Sequence, residues 1–110
     1  MGKKRFRVYG EENDVFLEFL SNSETEALGW IELDLKIEYL AYVVVPRKVC
    51  YLFPWAELKQ AWELLGEAWK REFGILEVGN DGYFSRGVAV PAKRLLEVAA
   101  ARVIKLPNAG

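Results

Sequence analysis

The sequence predicts an α+β domain: a mixed or antiparallel sheet of about five to six strands with two helices. Two observations predict it. Six short β-rich runs recur along the 110 residues, at 5–9, 14–21, 37–45, 49–53, 84–90 and 103–106. Two stretches instead show helical spacing or helix-opening chemistry, at 55–73 and 91–101. The order reads β-β-turn-β-β-α-β-α-β within a single domain, residues 1–110.

The first run, Arg5-Phe6-Arg7-Val8-Tyr9, alternates polar and apolar and is punctuated by Gly10. Glu11–Asn13 reads as a polar turn, and Asp14–Ser21 as the returning strand of a hairpin. Ser23 with Glu26 three residues on has the form of a capping box, with room for one helical turn before Gly29. The run 37–45 is mostly apolar, which suits a central strand. Pro46-Arg47-Lys48 connects it to Val49–Phe53, and Pro54 stops that strand and suits a helix start. In the helix that follows, Leu58, Trp62, Leu65 and Trp69 form one apolar stripe. Glu67 and Arg71 are spaced as a pair on the far face, and Gly74 closes the helix. Asn80-Asp81-Gly82 is a turn, and Phe84–Val90 a strand. Pro91 opens a second helix with Leu95, Leu96 and Ala99 inward, and Val103–Leu106 is a last strand.

Composition excludes several chemistries. The chain has no His, which removes His-based nucleophilic pairs and His-ligated zinc or haem. One Cys cannot close an internal disulfide or hold a zinc or iron–sulfur site alone. The apolar runs are too short for a membrane span, and no charged-then-apolar leader opens the chain, so the expectation is a cytoplasmic protein without a membrane partner. Gln and Thr each occur once while Glu, Lys and Arg abound, a thermophile-like composition.

Charge is uneven along the chain. Residues 1–10 carry +4 from Lys3, Lys4, Arg5 and Arg7; residues 11–38 carry −8; residues 39–110 carry +3. A basic arm therefore precedes an acidic band. Charge runs are often no more than a solvated surface. The functional expectation is that Lys3, Lys4, Arg5 and Arg7 touch nucleic-acid phosphates.

Candidate metal ligands are few. Asp14 and Glu18 share one face of their strand by alternation. Solvent exposure is the expectation for Glu18. Glu32-Leu33-Asp34-Leu35-Lys36 contains an acid-x-Lys triplet, which on a strand can supply a metal ligand and a phosphate-orienting lysine. Trp62 and Trp69 sit at core spacing, and Cys50 reads as an inert buried thiol.

Several segments together resemble a known family. Phe16–Asn22, Gly29–Glu32, Tyr39–Tyr42, Cys50–Pro54, Trp62, and Val88–Pro91 with Leu95 are similar to the C-terminal half of small PD-(D/E)XK (restriction-endonuclease-like) proteins of phages and prophages. The resemblance covers about residues 3–106 and implies a truncated restriction-endonuclease-like fold. In that family the metal-binding Asp and the E-x-K strand precede this region. Lys3-Lys4-Arg5 matches the positions at and after the E-x-K lysine, with Met1 and Gly2 where the acids would stand. The nuclease activity therefore does not carry over residue by residue, and no catalytic residue is assigned.

The resulting expectation is a nuclease-related domain, non-catalytic alone, that binds DNA or another nucleic acid, or a nucleic-acid enzyme. Two alternatives stand beside it. One is a phage-type inhibitor or interaction module docking on a protein partner through the acidic 11–38 band. The other is an Mg-dependent nuclease built from Asp14, Glu18 and Glu32–Lys36, the one reading that needs a cofactor. The opening strand has little chain before it to cover Phe6 and Val8, so a homodimer that buries the N-terminal hairpin or the sheet face near it is expected.

Overall fold

A computed structural model describes residues 13–107 in full and the backbone of residues 3–8. Eight strands and two helices lie among them: β1 Lys3–Val8, β2 Asp14–Asn22, β3 Ala27–Leu28, β4 Tyr39–Val44, β5 Val49–Pro54, α1 Trp55–Phe73, β6 Leu76–Asn80, β7 Tyr83–Pro91, α2 Ala92–Val98 and β8 Arg102–Lys105. A 3-10 turn spans Trp30–Glu32.

The α+β class with two helices is as expected, but the strands divide into two sheets rather than one. Sheet I has the order β1-β4-β5-β8, and sheet II the order β3-β2-β7-β6. Sheet I is mixed, because β1 runs parallel to β4 while the remaining pairs are antiparallel. The expected hairpin between the first two strands is therefore absent. The connection from Gly10 to Asn13 lacks the Asn-Gly or Asp-Gly pair that favours a tight hairpin. Strand β2 pairs instead with β7, setting Val15 opposite Val90 and Leu17 opposite Val88, all four fully buried.

One core joins the two sheets. Leu40, Tyr42 and Val44 of β4 face it, with their cross-strand partners Phe53, Tyr51 and Val49 of β5. Helix α1 contributes Trp55, Leu58, Ala61, Trp62 and Trp69, and α2 contributes Ala92 and Leu95. The expected stripe on α1 is thus the buried one, and Leu65 packs partly against it. Two tyrosines of sheet I reach across to sheet II. The Tyr42 hydroxyl accepts a bond from the Phe16 amide at 3.2 Å, and the Tyr51 hydroxyl bonds the Asn13 side chain. Buried polar groups need such partners, so the pair also fixes how the sheets align. Arg94 of α2 clamps Glu72 of α1 through two bonds of 2.9 and 2.8 Å, a bidentate geometry that sets the helix pair.

Local details depart from the sequence reading in four places. Ser23 caps no helix; its hydroxyl accepts the Phe84 amide, and Asn22 accepts the amides of Glu24 and Thr25 in a tight turn. Strand β6 was not foreseen, because Leu76-Glu77-Val78-Gly79 is too short and too exposed to announce itself. Helix α2 is shorter than expected, and Leu96 is 37% exposed while Leu95 is fully buried. On α1, Glu67 pairs with Lys70 at 3.0 Å, one residue short of Arg71. The side chains of Phe6 and Val8 lie outside the described residues; their register sets them opposite Tyr42 and Val44.

Gly29 is a close-approach glycine. A Cβ there would lie 2.2 Å from the Glu18 carbonyl oxygen, which is backbone and cannot rotate away. Gly29→Ala is expected to destabilise the fold by about 3 kcal/mol or more. Gly82, in a left-handed turn with φ +84 and open space around it, is the control and should lose only about 1 kcal/mol on mutation to Ala. Urea unfolding midpoints read both.

Candidate nucleic-acid interface

Charge and chain path together define this site. Strands β1 and β8 carry Lys3, Lys4, Arg5, Arg7, Arg102 and Lys105, and the turn between β4 and β5 adds Arg47 and Lys48. None of the sixteen acids lies in these strands, in β4, in β5 or in that turn. Sheet I with its turn therefore holds eight basic residues and no acid, while the rest of the chain holds seven basic against sixteen acidic. A net charge of −1 conceals a dipolar molecule.

The two faces of sheet I differ. Leu40, Tyr42, Val44, Val49, Tyr51 and Phe53 belong to the core; Ala41, Val43, Cys50 and Leu52 do not. Alternation puts these four on the opposite face. Register then aligns the rows Arg5–Ala41–Leu52–Arg102 and Arg7–Val43–Cys50–Ile104. A narrow apolar strip is thus bordered by the positions of Arg5 and Arg7 on β1 and of Arg102 on β8, while Lys4 and Lys105 fall in the rows of the core residues Leu40 and Val49. Strand spacing puts the two borders about 14 Å apart.

At one end of this face lies an open depression of ≈ 350 Å³, lined by Tyr39, Leu52, Pro54, Ala100 and Arg102. Its walls are held by the backbone bond from Trp55 to Glu38 and by the Ala100 amide on the Glu57 carboxylate, both 2.9 Å. Tyr39 is 40% exposed, and Arg102 is exposed.

The basic arm lies on β1, at the edge of this sheet; the side chains of Lys3, Lys4, Arg5 and Arg7 lie outside the described residues. The structure joins to them Arg47, Lys48, Arg102 and Lys105, which sequence reading had not grouped with the arm. The signal was present as a complete lack of acids through residues 39–54 and 98–110, two stretches that looked unremarkable singly.

The candidate metal ligands are not brought together. Asp14 and Glu18 do share a face of β2, but four residues of extended strand separate them by about 13 Å. A single Mg²⁺ held by both would need each ligand oxygen about 2.1 Å away. Glu18 is half-buried rather than solvated, with its carboxylate bonded by the Trp30 amide. The acid-x-Lys triplet is not on a strand. Glu32 ends the 3-10 turn and accepts the Trp62 indole N–H at 2.5 Å, while Asp34 and Lys36 pair with each other in an exposed loop. Among the described residues no group of three His, Cys, Asp or Glu is placed to hold a metal ion. Trp62, Trp69 and Cys50 are buried. No described helix is long and apolar enough to cross a membrane.

Comparison with protein-family models, with curated proteins and with solved structures finds no match to this chain.

Burial raises the Glu18 carboxyl above the usual range, and the Trp30 amide offsets part of that rise. A raised folded-state value means that the native state binds the proton more tightly than the unfolded chain. Stability from this group therefore falls as pH rises through the window between the two values. Glu18→Gln is expected to raise stability at pH 7, with the gain disappearing at pH 4, as read by urea unfolding at each pH.

Proposed function

We propose that the protein binds nucleic acid on the outer face of sheet I, without catalysing its cleavage alone. The carrying observation is the charge partition: eight basic residues and no acid on one four-stranded sheet and its turn, in a chain with more acids than bases, with Arg5, Arg7 and Arg102 at outer-face register positions. Polyanion recognition requires cations on a common surface, and phosphate contacts supply most of the affinity of such complexes. The resemblance to PD-(D/E)XK-like phage proteins supports the same class of partner. It does not supply a catalytic centre, since Asp14 and Glu18 stand apart and Glu32 is engaged by Trp62. A partner of this kind, with a single buried thiol, fits the cytoplasm.

We also propose self-association. Edge strand β6 exposes Leu76 and Val78 at 48% and 46%, and its one charged residue, Glu77, is already paired with Arg86 of the neighbouring strand. A second copy is expected to pair there, away from sheet I, and light scattering at high protein concentration should show a dimer; a monomer would count against it.

Binding is read by anisotropy of labelled oligonucleotides across a salt series. Affinity should fall log-linearly with salt, by about 0.7 per phosphate contact on single strands and about 0.9 on duplex. The double variant Arg5→Glu, Arg7→Glu should weaken binding and cut the slope by roughly 1.4 to 1.8. The control Arg71→Glu, Lys93→Glu, on exposed positions of the helices, should leave both nearly unchanged. Absence of binding at low salt would refute the proposal and favour protein docking through the acidic band.

A further inference from the structure

The outer face of sheet I holds more than cations. Between its basic borders Val43 and Leu52 are half-buried and Ile104 on β8 is 42% exposed, while Ala41 and Cys50 lie buried beneath. Phosphates do not need an apolar strip. A duplex presents phosphates and polar groove edges, with its bases stacked on one another, and would leave this strip facing polar groups. A single strand can turn its base faces onto the strip and run its backbone along a basic border.

Resting on sheet I as the nucleic-acid surface, we propose that it takes a single strand in preference to a duplex, with one base seated in the depression between Tyr39 and Arg102. Tyr39 offers an aromatic face, Leu52 and Pro54 an apolar floor, and Arg102 a guanidinium plane. Neither Tyr39 nor Arg102 makes a side-chain hydrogen bond or ion pair among the described residues, so neither has to abandon a partner to receive a base. The bonds from Trp55 to Glu38 and from Ala100 to Glu57 hold the walls before any ligand arrives, which lowers the ordering cost of binding. The depression fits a base but not a stacked pair of strands. The sugar is not distinguished by these groups, so DNA and RNA single strands share the chemistry.

The experiment compares labelled 12-nucleotide single-stranded DNA, the same sequence as RNA, and a 12-base-pair hairpin duplex. At least one single strand should bind roughly tenfold or more tightly than the duplex. Tyr39→Ala should weaken single-strand binding by roughly tenfold, the range of one lost base stack, without changing the salt slope, and Tyr39→Phe should restore it. Should Tyr39→Ala fail to fold, photocrosslinking of 5-bromouracil-substituted single strands to the unaltered protein reads the same contact. Crosslinks in the peptides holding Tyr39 or Arg102 support the proposal, and crosslinks confined to other peptides overturn it. Equal or tighter binding of duplex, or full single-strand affinity in Tyr39→Ala, overturns it while leaving the phosphate surface intact. No binding of any of the three removes both readings.

Discussion

Everything that distinguishes this molecule's surface depends on β1 pairing parallel to β4. A parallel neighbour cannot be reached by a tight turn, so the chain must leave sheet I and return. The segment that makes this excursion is residues 14–38, which builds β2, β3 and the 3-10 turn, and most of the acidic band lies within it. The excursion therefore keeps these acids off the strands of sheet I and sets Asp14 and Glu18 on the other sheet. Had β1 and β2 formed a hairpin, Arg5 and Arg7 would lie beside the strand of Asp14 and Glu18, and their fields would largely cancel. Topology turns an uneven charge sequence into a sheet whose strands carry charge of one sign.

The parallel pairing is in turn made worthwhile by the core. Register sets β1 against Leu40, Tyr42 and Val44, which are buried on the side toward sheet II. Tyr42 and Tyr51 then tie that side to β2 and to Asn13. Burial leaves the Tyr42 hydroxyl harder to ionise, with the Phe16 amide working the other way, so it stays an uncharged bridge between the sheets. Packing on the inner face thus determines which residues are left for the outer one.

Much of the fold was legible because its signals are local. The stripe Leu58, Trp62, Leu65 and Trp69, the stop at Pro54, and the alternation of β4 and β5 each report on their own neighbours. Strand partners are not local, and the two failures are of that kind: the hairpin that does not form, and β6, whose five residues are all exposed and carry no burial pattern. Ser23 shows the same limit on a smaller scale. Its hydroxyl answers to Phe84, sixty-one residues away, rather than to the helix its sequence context suggested. Of the candidate interface, the arm Lys3–Arg7 was readable as a charge run. Arg102 and Tyr39 were not, because only register places them on the same sheet face.

Cations on edge strands have a plainer purpose, which is to keep sheets from pairing with one another. Both β1 and β8 are edges, so guarding alone could account for Lys and Arg on them. Guarding, however, is indifferent to sign: a Glu on an edge repels a second edge as well as a Lys does. This chain has more acids than bases and spends none of them on β1, β8 or the turn between β4 and β5. It does use acids at the opposite sheet, where Glu77 sits on edge strand β6 and pairs with Arg86. Guarding also gives no reason for the apolar groups left partly accessible between the two borders, Val43, Leu52 and Ile104, where polar residues would be more soluble. One sign at the borders and an apolar centre between them are together what a polyanion with hydrophobic bases requires, and edge protection requires neither.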